Sequence, residues 1–124
     1  MIVLNQNVLN ELISYLKVKY KTILQELKLE YCTNDGKYIY LIQIKIKKSK
    51  RLKGYGSAVL KEICQYADKH NVRIRLYATD ILGSELKRLY WFYLRHGFVL
   101  IKDENDGEML YKPKVKRKKR LRLL

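Results

Sequence analysis

The stretch KKSKRLKGYGSAVLKEI, residues 47–63, places five cations and two glycines just before an apolar run with helical spacing. Glycine destabilises a helix interior by about 1 kcal/mol relative to alanine. At a helix start, however, glycines let a ligand approach the free backbone N–H groups, which attract anions. The stretch is therefore either a phosphate-binding turn or a glycine-containing loop beside a solvated basic patch. A Walker loop is excluded, because GxxxxGK[ST] is absent and only GxGS occurs.

Length and composition indicate one globular domain. The chain has 124 residues, of which 48% are hydrophobic and 31% charged. No apolar run approaches the ~20 residues of a membrane span, and the N-terminus lacks the features of a signal peptide. We therefore expect a cytoplasmic protein without a membrane partner. The two cysteines show no metal-ligand spacing, so no metal site is predicted, and Cys64 is expected to be a buried free thiol.

The positive charge is concentrated at the C-terminal end. The net charge is +15, and residues 112–124, KPKVKRKKRLRLL, hold eight cations and no acid. The only proline, Pro113, suits a domain edge. We predict a domain over residues 1–112 and a basic tail over residues 113–124. The tail is either solvated or contacts nucleic acid or another polyanion through Lys114–Arg122.

Hydrophobic periodicity predicts an α+β fold. Asn5 or Asn7 is the expected N-cap of the first helix, Ser84 that of the last, and Gly97 its C-terminal stop. An Asn-Asp-Gly hairpin signal occupies residues 34–36. The predicted elements are a helix at 5–20, strands at 26–32 and 38–47, a helix at 56–70, a strand at 72–79, a helix at 83–97 and strands at 98–102 and 108–112.

The strand at 38–47 is expected at the centre of the sheet. Its alternating residues from 38 to 46 are apolar on one face, and Ile39 and Leu41 make the start of the other face apolar as well. A strand apolar on both faces predicts helices on both sides of the sheet. The strand–helix–strand segment from 38 to 79 predicts a parallel crossover, with antiparallel strands at both ends.

Two segments resemble motifs of the GNAT (Gcn5-related) N-acetyltransferase family. In the first, residues 51–56 fill the family pattern R/Q-x-x-G-x-G/A, after an apolar strand and before a helix start of small residues. In the second, FYLRHGF, Tyr93 stands four residues before the pair Gly97 and Phe98. The resemblance covers roughly residues 22–111. It implies a GNAT-like mixed, mostly antiparallel sheet with a central, splayed parallel strand pair flanked by helices.

The chain departs from the family pattern at three motif positions. Lys48 stands where proline is common, and Leu86 and Leu89 stand where asparagine and alanine are common. The strand region before the first motif is also shorter than usual. A complete acceptor pocket would then use a second chain, as in a homodimer.

The resemblance implies acetyl-CoA as the cofactor and acetyl transfer to an amine, on a small molecule or a protein, as the reaction. Tyr93 would give a proton to the leaving thiolate, although its periodicity alone favours a core position. A backbone N–H of strand 38–47 would stabilise the oxyanion. The implied cofactor-binding residues are Ile44, Lys45 and Ile46 on the strand edge, and Arg51, Leu52, Lys53, Gly54, Tyr55, Gly56 and Ser57 around the pyrophosphate.

The amine-binding side is less defined by sequence. Glu30, Asp80 and Glu85 are candidate bases by element position only, and a water chain would serve as well. An aromatic acceptor pocket is expected from Tyr31, Tyr38 or Tyr40. Two further functions stay open. One is a non-catalytic GNAT-like protein that binds nucleic acid or another polyanion through its tail, and the other is a small basic protein that blocks a partner by charge.

Overall fold

The computed structural model describes residues 3–34, 36–51, 53–78, 86–101 and 107–114. The predicted N-cap Ser84 and most of the tail lie outside these residues. No helix in the described part of the chain is long and apolar enough to cross a membrane. In chain order the elements are α1 (Gln6–Lys19), β1 (Leu24–Cys32), β2 (Tyr38–Ile46), a short 3₁₀ turn (Lys48–Lys50), α2 (Tyr55–His70), β3 (Arg73–Tyr77), α3 (Leu86–Arg95), β4 (Val99–Leu100) and β5 (Glu108–Tyr111).

Helix α1 begins where the sequence predicts. Asn5 has an extended backbone, and its side-chain oxygen accepts a hydrogen bond from the Val8 N–H at 2.9 Å. This confirms Asn5, one of the two candidates, as the N-cap. Leu9, Leu12 and Leu16 are buried on one side of the helix. This apolar stripe anchors α1 to the sheet.

Helix α2 buries the row of apolar side chains whose helical spacing is visible in the sequence. Cys64 is a free, buried thiol, as expected, and burial raises its pKa to about 12. A thiol in this state is a packing residue rather than a nucleophile. The buried residues of α2 are Val59, Leu60, Ile63, Cys64 and Ala67.

The five strands form one mixed sheet in the order β1-β2-β3-β5-β4. β2 and β3 are parallel, and the pairs β1–β2, β3–β5 and β4–β5 are antiparallel. Helix α2 connects the two parallel strands. The structure therefore confirms the α+β class, the parallel crossover and the antiparallel ends.

Strand β2 contains a bulge at Ile42. In the pairing with β1, Lys28 is opposite Gln43, but the next residue, Leu29, is opposite Leu41. Ile42 is thus an extra residue on β2, and its side chain is 47% exposed. An extra residue reverses which side chains face each side of the sheet.

The bulge brings the apolar residues of β2 to one face. Ile44 and Ile46 pack against the core on the same face as Ile39 and Leu41. The sequence-based expectation that alternating residues from 38 to 46 share a face is therefore wrong beyond the bulge. The period-2 pattern does not allow for an extra residue.

The described helices pack on the same face of the sheet. Tyr66 of α2 donates a hydrogen bond to the Val8 carbonyl of α1 at 3.4 Å. Tyr111 of β5 donates to Asp68 of α2 at 2.8 Å, and its ring lies 5.4 Å from that of Phe98, which follows α3. These contacts tie the three helices to one another over the core.

The opposite face carries polar and aromatic side chains. The Arg75 guanidinium lies 4.7 Å from the centre of the Tyr38 ring and pairs with the Glu108 carboxylate. No helix of the described ranges packs there, so the expectation of helices on both sides is not met for this part of the chain. Tyr38 is only 9% exposed even so, because neighbouring side chains on this face cover it.

Candidate active site

The two parallel strands diverge soon after they begin. β2 pairs with β3 only from Tyr38–Tyr40 to Arg73–Arg75. Beyond these residues β2 continues beside β1, and β3 continues beside β5. In the described ranges no strand lies between the two diverging ends. This gap, which we call the strand fork, leaves backbone N–H and C=O groups on both inner edges.

The strand fork contains the predicted strand residues of the cofactor site. Ile44, Lys45 and Ile46 form the end of β2 along this gap. Lys45 projects to the opposite face from its two neighbours, which pack towards α2. The three residues therefore offer backbone groups at the gap, whereas their side chains are divided between the two faces of the sheet.

The basic loop after β2 is held by one of its own cations. The Arg51 Nε donates a hydrogen bond to the Ile46 carbonyl at 2.9 Å. The Lys47 N–H bonds the Ile23 carbonyl at 2.8 Å, which fixes the start of the loop. Arg51 therefore has a structural contact with the end of β2. Leu52 lies outside the described residues.

Helix α2 begins at a left-handed glycine. Gly54 is the N-cap with φ +85°, and no side chain of the described residues caps the helix. The first internal bond runs from the Ala58 N–H to the Gly54 carbonyl at 3.1 Å. The N–H groups of the first helical turn, residues 55–57, therefore have no partner within the helix. Such a turn favours an anion.

The two glycines have different roles. A Cβ on Gly54 would meet no atom within 4 Å, but its positive φ disfavours any other residue. A Cβ on Gly56 would lie 3.6 Å from the Phe92 ring and 3.9 Å from Ile46, which is ordinary van der Waals contact. Gly54 is thus needed for the backbone conformation, whereas Gly56 keeps the helix start clear of a side chain.

Alanine substitutions should separate these roles. We expect Gly54→Ala to lower the free energy of unfolding by about 1–2 kcal/mol, because alanine is strained in the left-handed region. Gly56→Ala should leave stability unchanged or raise it by up to about 1 kcal/mol, because alanine suits a helix and fits the space. Urea unfolding of both variants measures the difference. Equal losses would contradict the assignment.

Ser57 contacts the end of α3. Its Oγ lies 3.0 Å from His96 Nε2. Burial, together with the nearby Arg95 and Lys61, lowers the pKa of His96. The Ser57 side chain therefore joins the start of α2 to the end of α3, and its backbone N–H remains at the open helix start.

Tyr93 is part of the helix stop after α3. Gly97, with φ +95°, donates to the Leu94 carbonyl, and the Phe98 N–H donates to the Tyr93 carbonyl, both at 3.1 Å. This is a Schellman motif, and the contact between the Tyr93 and Phe98 rings, 5.4 Å apart, is its usual hydrophobic partner. The predicted stop at Gly97 is confirmed. The spacing of the second sequence motif thus has a structural cause.

The Tyr93 phenol is largely buried and keeps its proton. Burial raises the pKa of Tyr93 to about 12, and no described residue hydrogen-bonds the phenol. The neighbouring residue Phe92 is the one that borders Gly56, so this part of α3 lies against the start of α2. Tyr93 is therefore a packed ring with a retained proton, next in sequence to the residue that borders the start of α2.

The face of the sheet opposite the helices carries an aromatic pair. The rings of Tyr40 and Tyr77 meet edge to face, 6.1 Å apart, at the base of the strand fork. Glu30 lies on β1 directly opposite Tyr40 and is exposed. Tyr31 faces the helices instead, so it does not join Tyr38 and Tyr40. The other two predicted base candidates, Asp80 and Glu85, lie outside the described residues.

Sequence reasoning missed a buried ion pair at this place. Glu108 is 4% exposed, and its Oε2 accepts a hydrogen bond from Arg75 Nε at 2.9 Å. Glu108 is also the cross-strand partner of Tyr77. Only the alternation of β5 could have indicated this position, because nothing in the sequence shows which cation is opposite.

No protein-family model matches the chain, and no curated protein matches it. Several solved structures, however, are similar to the chain in fold. The anti-CRISPR protein AcrVA5 is 20% identical, with a TM-score of 0.55 over 69% of this chain and 90% of its own. AtaTR bound with AcCoA is 14% identical, with a TM-score of 0.53 over 69% of this chain and 55% of its own.

A third solved structure covers more of the chain. The AtaT–AtaR complex bound to DNA is 13% identical, with a TM-score of 0.57 over 77% of this chain and 71% of its own. At these identities the likeness concerns the fold. The splayed parallel pair, the crossover helix and the antiparallel ends are the features expected from the two sequence motifs. The chain therefore has the fold of the GNAT acetyltransferases.

Proposed function

We propose that the chain is an acetyl-CoA-dependent N-acetyltransferase that acts on a primary amine. The observation that carries the proposal is the position of two features at one edge of the sheet. The strand fork opens at the carboxyl ends of β2 and β3, and α2 starts at that same edge with an uncapped first turn. Ligands of α/β proteins bind at such edges.

The start of α2 would hold the pyrophosphate. The backbone N–H groups of Tyr55, Gly56 and Ser57 would donate to it, and the helix dipole would add a favourable field. The open space beside Gly54 supports this role, since no side chain of the described residues fills it. Arg51, Leu52 and Lys53 would complete the cradle, with the two cations close to the phosphates.

The inner edge of β2 would hold the amide-containing arm of the cofactor. Ile44, Lys45 and Ile46 would bond its amides as a neighbouring strand does, because no described strand pairs with them on that side. Acetyl-CoA supplies the acetyl group as a thioester. A backbone N–H of β2 in the strand fork would donate a hydrogen bond to the thioester oxygen.

Tyr93 Oη would supply the proton for the leaving sulfur. A raised pKa keeps the phenol protonated throughout the physiological range, which a proton donor requires. The base on the amine side is not assigned to Glu108, because its Oε2 is held by Arg75. Glu30 beside Tyr40, or water, would take the proton from the amine.

Acetyl-CoA binding tests the proposal directly. Acetyl-CoA at 100 times its Kd should raise the free energy of unfolding by about 2.7 kcal/mol, which thermal unfolding would detect. Gly56→Asp should weaken the affinity about 30-fold in calorimetry, because a carboxylate at the helix start repels the phosphates. The helix itself should tolerate an acidic residue in its first turn.

The neutral variant Gly56→Asn is the matched control. It has the same size without the charge, so it should bind acetyl-CoA more tightly than Gly56→Asp. Equal affinity of the two variants would mean that the anion lies elsewhere. A wild-type protein that acetyl-CoA does not stabilise would contradict the enzymatic proposal altogether.

A polyanion-binding protein is the second candidate. The net charge of +15 and the eight cations of residues 112–124 favour it, and one structural neighbour is described as bound to DNA. This function needs no acetyl-CoA site. Binding of nucleic acid without stabilisation by acetyl-CoA would select it over the enzyme.

A further inference from the structure

A cleft of about 500 Å³ separates the second half of α2 from the end of α3. We call it the α2–α3 cleft. Its floor includes the buried Cys64 and Tyr111, and its rim includes the exposed Lys61, Arg95 and Lys114. The complete lining is Lys61, Cys64, Gln65, Asp68, Leu94, Arg95, His96, Gly97, Tyr111 and Lys114.

The described lining of the cleft is basic. Its one acidic residue, Asp68, is engaged, because its Oδ1 accepts hydrogen bonds from the Tyr111 hydroxyl and the Lys114 N–H, both at 2.8 Å. Lys61 and Arg95 lie close enough to His96 for their positive charges to lower the pKa of its imidazole. Three cations against one acid leave the lining with a net positive charge of about two, if His96 is neutral.

The cleft lies between the two most basic segments of the sequence. At one end, His96 contacts Ser57 in the first turn of α2, which follows the five cations of residues 47–53. At the other end, Lys114 precedes six further cations in residues 115–124. The hydrogen bond between Lys114 and Asp68 fixes the beginning of the tail at the cleft.

We propose that the α2–α3 cleft binds the phosphodiester backbone of a nucleic acid, with Lys61, Arg95 and Lys114 at its phosphates. A single small anion would use one of these groups. A run of cations that continues from the cleft into the tail fits a polymer with closely spaced charges. The proposal does not depend on acetyl transfer, and it places part of the nucleic-acid contact on the folded domain.

The groove between α1 and α2 offers a contrast. Glu11 and Lys69 both line it, together with Val8, Tyr15 and Tyr66. Its one acidic and one cationic side chain balance, and the rest of its surface is largely aromatic and aliphatic. This groove therefore offers no net positive charge to a phosphate chain. Of these two linings beside α2, the α2–α3 cleft is the one with a net positive charge.

Fluorescence anisotropy with labelled nucleic acids tests the proposal in the full-length protein. The probes are a single-stranded RNA of about 20 nucleotides and a DNA duplex of about 20 base pairs, since single modules cover sites of this order. The variant Lys61→Gln/Arg95→Gln should lose two phosphate contacts. We expect about 25-fold weaker binding of the single strand and about 60-fold weaker binding of the duplex at 0.1 M salt.

Two full-length controls make the result specific. Lys17→Gln/Lys21→Gln removes the same charge from exposed positions at the end of α1 and should change affinity less than about threefold. A variant with glutamine at all six cations of residues 115–124 should bind more weakly, but should weaken further when Lys61 and Arg95 are also replaced. Thermal unfolding confirms that each variant is folded.

The outcomes are decisive in both directions. A loss of affinity in the cleft variant that the α1 control does not show, on either probe, supports the proposal, and the tighter probe identifies the nucleic acid. The proposal is overturned if the cleft variant binds like the wild type, or if the α1 control weakens binding to the same extent. Absence of binding to both probes overturns it as well.

Discussion

Glu108→Ala is expected to lower the free energy of unfolding by about 3–5 kcal/mol, as removal of one partner of a buried ion pair does. Arg75 would lose the carboxylate that accepts its Nε hydrogen bond at 2.9 Å, and the guanidinium would stay partly buried over the Tyr38 ring. A loss of this size is a large fraction of the stability of a small domain. Urea unfolding monitored by circular dichroism measures it.

Two further variants separate this effect from a general loss of charge. Glu30→Ala removes an exposed carboxylate from the same face and should change stability by less than about 0.5 kcal/mol. Replacing the pair together, as Arg75→Met/Glu108→Leu, should recover much of the loss because the guanidinium is then removed together with the carboxylate that it binds. If Glu108→Ala proved as stable as Glu30→Ala, the ion pair would contribute nothing to the fold.

Tyr93→Phe should lower kcat about 100-fold, within the range for removal of a general acid. Phenylalanine retains the ring contacts with Phe92 and Phe98, so the Schellman motif and the acetyl-CoA affinity should be preserved. The best acceptor is first selected from a panel of primary amines. The rate is then measured from the release of the thiol of coenzyme A. KM for acetyl-CoA should change little, because the lost interaction belongs to the transition state.

Tyr90→Phe is the matched control on the same helix and should change kcat less than twofold. Because burial raises the pKa of Tyr93 to about 12, its proton should not limit the rate below about pH 11. Because the pKa of Tyr93 is higher in the folded state, this group favours folding up to about pH 10, the ordinary pKa of tyrosine. The folded state loses this contribution as the pH rises from about 10 towards 12. An unchanged rate in Tyr93→Phe would leave Tyr93 as a core residue only.

Local signals in the sequence were sufficient for most of the fold. The cap of α1 was predicted at Asn5 or Asn7 because an asparagine side chain satisfies a free N–H of the first turn, and the structure selects Asn5. Gly97 was predicted as a stop because glycine readily adopts the positive φ required there. The glycine pattern before α2 likewise indicated the uncapped helix start. These features depend on residues within a few positions of one another, which is the range over which periodicity and capping are informative.

Features that depend on distant partners were not predictable. The bulge at Ile42 follows from the register between β1 and β2, which the sequence of β2 alone does not contain. The Arg75–Glu108 pair joins residues 33 positions apart on neighbouring strands. The position of the described helices on one face of the sheet also depends on distant contacts, such as that between Tyr66 of α2 and Val8 of α1, 58 positions apart.

The bulge in β2 also determines how this strand can change in length. Deleting Ile42 would restore regular alternation, because Gln43 would then follow Leu41 directly, and Ile44 and Ile46 would stay on the core face. The pairs Lys28–Gln43 and Leu29–Leu41 would also be kept. Loss of one residue at the bulge is therefore compatible with this sheet, so β2 can become shorter there without moving any side chain between its two faces.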